Sequence, residues 1–249
     1  MNCIILLIII ILLILIMIFN NFNDFNNFNI KNKLCKLAYN IYTFWTDDNN
    51  LSNNRINALD NIKQISECNI IFITKETLDN YILPNYPLHE GYKYLSATHK
   101  ADYLRTYFMN FYGGGYSDIK KTTGSWINSF NQLYNSDYWI CGYKELEGGV
   151  AHPLLLDKYN DLIGNGAYIC KSNTPLTNEW YNEMILLMDN KLLELKLNPA
   201  THSQDCKEIN EKYPIEWNEL LGRIFHKICY KYKDKLLNTL PAPIFTDYR

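Results

Sequence analysis

The chain has 249 residues, a formal net charge of −2 and 47% hydrophobic side chains, enough for one folded domain with a sizeable core. The slightly acidic balance argues against a nucleic-acid binder, which usually carries a net basic face to neutralise phosphates.

Cys3 to Phe19 is an unbroken apolar run. At ~1.5 Å rise per residue it reaches about 26 Å as a helix, the short end of what spans a bilayer. Met1-Asn2 supplies no basic flank, and no small-residue cleavage site follows Phe19. These features favour an uncleaved, single-pass membrane anchor over residues 1–19 rather than a signal peptide. The lysines that follow it, Lys31, Lys33 and Lys36, favour a cytosolic domain. A lumenal enzyme on a signal anchor has the opposite bias, and the lone triplet Asn50-Leu51-Ser52 leaves the side of the membrane open. Asn20 to Asn32 is an Asn/Phe stretch without helical period, so residues 20–35 read as a low-complexity stem and residues 36–249 as one domain.

Within the domain, Tyr39–Trp45 is aromatic and β-branched and predicts a first strand. Asn54–Ile65 places Ile56, Leu59, Ile62 and Ile65 at spacings of three and predicts a helix with those residues on its apolar face. Asn69–Thr74 (NIIFIT) predicts a buried strand. Strand, helix, strand in that order opens a right-handed α/β unit with a mostly parallel sheet. Ser96–Tyr112 predicts a helix with Ser96 as N-cap, an apolar face of Ala101, Leu104, Phe108 and Phe111, and a stop at Gly113-Gly114-Gly115. Two more amphipathic helices are expected over Pro175–Leu197 and Ile215–Tyr232.

The chemistry concentrates in Ser96–Trp126. Asp102 and Arg105, three apart on a helix, project from neighbouring positions on one face. A surface ion pair would be the plain reading, but the same helix runs into three glycines and then Asp118. Glycines permit a sharp turn and close approach of backbone to a ligand, so an acid, a base and a second acid converge in a way suited to a polyol and a diphosphate. The seven cysteines (Cys3, Cys35, Cys68, Cys141, Cys170, Cys206 and Cys229) include no C-x-x-C pair and no zinc spacing, so free or buried thiols are expected. Neither a complete G-x-G-x-x-G, a P-loop, a G-x-S-x-G elbow nor an H-E-x-x-H pair is present. The loop His202-Ser203-Gln204-Asp205 offers acceptor or metal contacts, and Glu145, in GYKELEGG, is a candidate acceptor-side base.

The run DYLRTYFMNFYGGGYSD (Asp102–Asp118) resembles the sugar-binding region of DXD-type glycosyltransferases, in particular those of capsular polysaccharide synthesis and, more distantly, the family 32 mannosyltransferases. The resemblance spans Tyr39–Trp126. It implies a GT-A-like, Rossmann-type nucleotide-sugar-binding sandwich that transfers a hexosyl-type group from a nucleoside-diphosphate sugar to a hydroxyl of a glycan-type acceptor, with retention of configuration. It implies that Asp102 and Arg105 hold sugar hydroxyls, that Gly115 adjoins the donor, that Asp118 is the catalytic and metal-binding carboxylate at the diphosphate, and that Trp45 stacks on the base. The second acid of the Asp-x-Asp pair would fall at residue 120, where Lys120 stands. Either a Mn²⁺ or Mg²⁺ ion is held by Asp118 with residues elsewhere, or Lys120 offsets phosphate charge in its place; the plain alternative is that Lys120 points to solvent. A non-catalytic nucleotide-sugar- or glycan-binding relic of such an enzyme is the alternative.

Overall fold

A computed structural model describes residues 39–247. The expected anchor (1–19), stem (20–35), their lysines, Cys3 and Cys35 lie outside the described residues. Among the described residues no helix is long and apolar enough to cross a membrane.

The sheet grows outward from β1 (Asn40–Trp45), whose alternating side chains are buried on both faces. β2 (Asn69–Thr74) pairs with β1 in parallel over its whole length, Asn40 opposite Asn69 and Trp45 opposite Thr74. Between them runs α1 (Asn53–Ile65), capped by Ser52, whose hydroxyl accepts from Arg55 N at 3.3 Å. α2 (Ala97–Phe111) then leads to β3 (Gly114–Ser117), parallel to β1 on the side away from β2. After α3 (Ile127–Tyr134) come β4 (Ile140–Lys144) and β5 (Ile163–Cys170), and β5 inserts antiparallel between β3 and β4. α4 (Pro175–Leu197) and α5 (Gly222–Lys231) follow, and β6 (Leu236–Leu237) closes the edge parallel to β4. The order is β2-β1-β3-β5-β4-β6, a mixed α/β sheet in which five of the six strands run one way and β5 runs against them.

Strand alternation divides the core. Tyr42, Phe44, Tyr116 and Tyr168 face a large apolar cluster with residues of α2, α4 and α5. Ile41, Cys141, Ala167 and Ile169 face the opposite layer, with Trp126 and with Phe130 and Leu133 of α3. The five described cysteines, Cys68, Cys141, Cys170, Cys206 and Cys229, are all buried.

Four expectations need correction. β2 is an edge strand in which only Ile73 is fully buried, because no strand pairs beyond it. In α1, Ala58, Leu59 and Ile62 face the core while Ile56 and Ile65 are exposed. A spacing of three falls short of the 3.6-residue turn, so four such residues drift about half-way round the helix. α2 is buried on nearly all sides from Asp102 to Asn110 rather than along one stripe, since it lies between the sheet and α4. The last helix begins at Gly222, not Ile215: residues 217–221 form turns, and just before them Glu216 N donates to Glu219 Oε2 at 3.0 Å.

The path from α2 into β3 depends on Gly113 and Gly114, at φ 65° and 81°. A Cβ on Gly113 would lie 2.9 Å from both Cys170 O and Ser172 N, backbone atoms that cannot swing aside. Gly113→Ala is therefore expected to lower stability by about 1–3 kcal/mol from the left-handed backbone alone, with the clash in addition. A urea midpoint unchanged from that of the native chain would show that the turn relaxes freely.

Candidate active site

β1 connects to β2 on one side and β3 lies on the other, so the chain reverses its direction of sheet growth at β1. Open α/β sheets leave a crevice at such a point, outside the carboxyl ends of the strands. Here a cleft of about 430 Å³ occupies that place. Its walls come from the ends of β1 (Trp45) and β3 (Ser117), the first turns of α2, the start of β5 (Asn165), and the segments around Ser203 and Trp217. The antiparallel course of β5 is what brings its N-terminal end, rather than its C-terminal one, to this side of the sheet.

Arg105 lies at the centre of the polar floor. Its guanidinium NH2 is 3.1 Å from Asp102 Oδ1 and 3.3 Å from Asp118 Oδ1, and its NH1 donates to the Asn165 carbonyl at 3.0 Å. The guanidinium carbon sits 4.4 Å from the centroid of the Tyr116 ring, a stacking contact that suits a planar cation. Its Nε is buried with no hydrogen-bond partner. Asp118 Oδ1 also accepts from the Tyr116 hydroxyl at 2.6 Å, and Asp118 Oδ2 accepts from the Lys120 ammonium. The backbone sets these directions: Asp118 N donates to Gly166 O at 2.8 Å, and Lys120 N lies 2.7 Å from Asp118 O, folding the lysine back over the aspartate. Gly166 lies against this group: a Cβ there would stand 3.4 Å from Asp118 Oδ2 and 3.3 Å from the Tyr143 hydroxyl.

The two carboxylates are driven apart electrostatically. Burial pushes the Asp102 carboxyl up to about 6, with Arg105 opposing and Asp118 reinforcing the rise. Burial acts on Asp118 in the same sense, yet the charges of Lys120 and Arg105 override it and hold Asp118 well below the usual carboxylate range. Desolvation works against the Arg105 charge, but Tyr116, Asp118 and Asp102 more than offset it and keep the guanidinium protonated.

Five of the residues singled out in the sequence, Trp45, Asp102, Arg105, Asp118 and Lys120, meet on this one cleft. The Asp102–Arg105 pair is buried rather than on the surface, with side chains 7% and 9% exposed. Trp45 is half-buried at the rim, its Nε1 donating to Asn49 O at 2.7 Å. Gly115 is not brought to the cleft: it faces the opposite layer, where a Cβ would lie 3.0 Å from Ile41 and 3.1 Å from Trp126. Strand alternation turns Tyr116 toward Arg105 and Gly115 away from it. Glu145 is not there either. It is buried with its Oε2 3.1 Å from His226 Nε2, and its Oε1 accepts from Leu146 N, so it serves the packing of α5 rather than an acceptor. In the 202–205 loop, Ser203 and Gln204 line the cleft, whereas His202 points to solvent and Asp205 accepts from the backbone of Thr201 and His202.

The sequence reading missed Asp47, Arg55, Asn165, Trp217 and Asn218, all of which line the cleft. Asn165 sits between two glycines in GNGAYI, a local sign of close backbone approach that could have flagged it. The others carry no local signal.

Asp118 is a poor ligand for a divalent cation in this setting. A carboxylate offers about four lone-pair directions, and here one oxygen serves a phenol and a guanidinium while the other serves an ammonium. Among the described residues no group of three or more His, Cys, Asp or Glu comes together in a way that could hold a metal ion.

No protein-family model and no curated protein matches the chain. Among solved structures it is similar to one described as PaToxG glycosyltransferase, with 13% identity over 84% of this chain and 76% of that chain and a TM-score of 0.44. So slight a likeness leaves the assignment of function to the geometry of the cleft.

The raised Asp102 carboxyl has a measurable consequence. Folded Asp102 binds a proton up to about pH 6, the unfolded residue only up to about 3.8. Folding therefore takes up a proton between those values, and this group's contribution to stability grows as pH falls through the window, by on the order of 2–3 kcal/mol. Below pH ~3.8 the Asp102 gain is complete and Asp118 acts in the opposite sense: its unfolded carboxyl takes up a proton that the folded one, held down by its two cations, does not, so stability falls as pH falls. Asp102→Asn removes the first effect, so its stability advantage or deficit relative to the native chain should shift by about 2 kcal/mol between pH 7 and 4.5, the part of the window that this range covers. Melting curves that keep a constant offset across this range would show that Asp102 does not titrate there.

Proposed function

We propose that this chain is a glycosyltransferase of GT-A-like fold, moving a hexosyl-type group from a nucleoside-diphosphate sugar to a hydroxyl of a glycan-type acceptor. The observation that carries this reading is the cluster of two acids and two bases, nearly dry, at the floor of a polar cleft at the sheet's switch point. Structural ion pairs are seldom placed at the bottom of an open crevice, where ligand and water compete for them. Alternating donors and acceptors of fixed direction suit sugar hydroxyls, and fixed positive charge suits a diphosphate.

In the reaction, the donor's anomeric C1–O bond breaks and its electron pair departs with the diphosphate oxygen. A new C1–O bond forms to the acceptor oxygen, whose proton passes to the nucleoside diphosphate or to water. On the resemblance, configuration at C1 is retained. Trp45 offers an aromatic face at the rim for the base. Asp102 and Arg105, which line the cleft floor, meet sugar hydroxyls. Asp118 orients Arg105 and Lys120, so positive charge is already in place where negative charge develops and little reorganisation is needed. The apolar run Cys3–Phe19 would tether the enzyme to a membrane.

The test is a panel of UDP-, GDP-, TDP- and CDP-sugars with the full chain, read by thermal shift and by release of nucleoside diphosphate. At least one donor should stabilise the fold, by about 2.7 kcal/mol at a hundredfold excess over Kd. Asp118→Asn, which keeps side-chain volume, should cut turnover of that donor about a hundredfold or more. A panel with no stabilising donor, or native turnover in Asp118→Asn, rules the proposal out.

A further inference from the structure

A departing nucleoside diphosphate needs positive charge beside it, and sites with paired carboxylates supply this by gripping a divalent cation. Asp118, the acid that an Asp-x-Asp motif would offer to a cation, is committed elsewhere. Asp118 Oδ1 serves Tyr116 and Arg105, and its Oδ2 serves Lys120. Asp102 Oδ1 faces the same guanidinium nitrogen, and Asp47 Oδ2 accepts from the Ser203 hydroxyl. The one lone-pair direction left on Asp118 Oδ2 adjoins a fixed ammonium, so an incoming cation would be repelled from the site where it would have to bind.

We infer that the donor diphosphate is held without a divalent cation, by the Lys120 ammonium and the Arg105 guanidinium, with Asp118 as the shared counter-charge that aims both. This rests on the nucleotide-sugar reading of the cleft. Lys120 lines the cleft yet is 9% exposed, and its position is over-determined. The carboxylate of Asp118 holds Nζ on one side, and the Phe245 ring lies 5.1 Å away on another. Phe245 is itself placed by the chain end: Ile244 N donates to Lys121 O at 2.8 Å, and Thr122 bridges Pro243. A lysine pinned by a carboxylate, an aromatic ring and its own backbone turn has little rotamer freedom left to lose when phosphate binds. An ammonium serves phosphate as a point charge, while the planar guanidinium gives direction. The two cations are bridged by one carboxylate, so their separation is fixed before the ligand arrives.

The experiment measures calorimetric binding of UDP, GDP, CDP and TDP, and of the matching nucleosides, to the full chain in EDTA and in Mn²⁺. At least one diphosphate should bind in EDTA with a Kd within about threefold of that in Mn²⁺. Lys120→Ala should weaken that diphosphate at least about tenfold, as expected for loss of a charged hydrogen bond. It should leave the nucleoside's weaker affinity unchanged, and Lys120→Arg should restore much of the loss. Binding that requires Mn²⁺ overturns this inference alone and leaves the nucleotide-sugar reading standing. So does native affinity in Lys120→Ala, or parallel loss of nucleoside and diphosphate binding in that variant, which marks Lys120 as structural. Absence of binding by every diphosphate, with and without metal, overturns both proposals together.

Discussion

A guanidinium taken out of water is stable only if its surroundings replace what water gave it, and that requirement organises the whole floor of this cleft. Arg105 meets it with two carboxylates, the Asn165 carbonyl and the face of Tyr116. These partners come from α2, β3 and β5, so one side chain ties together three elements that the chain order keeps apart. Removing one member of such a buried set costs about 3–5 kcal/mol, because it strands the opposite charge. The arrangement is thus held by the penalty for breaking it more than by a net gain from forming it.

The scaffold supplies each partner by a separate device. The sheet's change of growth direction at β1 opens the crevice, and the antiparallel entry of β5 delivers Asn165 to it. The left-handed glycines Gly113 and Gly114 turn the chain sharply enough for β3 to pair beside β1 and point Tyr116 at Arg105. The backbone bond from Asp118 N to Gly166 O seats Asp118 against β5. The C-terminal segment then returns across the sheet, with Leu240 N donating to Gly142 O, and sets Phe245 next to Lys120. An ionic cluster fixed from so many directions keeps its dipoles oriented without a ligand, and this is the condition under which charge stabilisation costs least.

The same packing explains why the acids differ. Asp102 shares one cation with Asp118, is more deeply enclosed, and has its carboxyl raised. Asp118 has, besides the shared Arg105, the Lys120 ammonium and a phenol of its own, and stays ionised. Two residues of one type thereby acquire distinct protonation behaviour a few ångströms apart, and the difference lies in their neighbours rather than in their own chemistry.

Periodicity, capping residues and turn glycines are local, and what depends on them was legible in the sequence: β1, the α4 boundaries at Pro175 and Leu197, the Ser96 cap and the glycine stop. The i,i+3 pairing of Asp102 with Arg105 follows from helix geometry alone, and the short span from Arg105 through a tight turn to Asp118 placed the third charge near them. The burial of that pair, the edge position of β2, the late start of α5, the retreat of Gly115 and Glu145 from the cleft, and the arrival of Asp47, Arg55 and Trp217 were not legible. Each depends on which segments pack together across long separations, and a residue's own neighbours in sequence carry no record of that. Lys120 shows the division most clearly: its identity and its distance from Asp118 along the chain were plain, but a lysine two residues beyond an acid can as easily face water. Only the fold, by backing it with Phe245 from the far end of the chain, turned its charge inward.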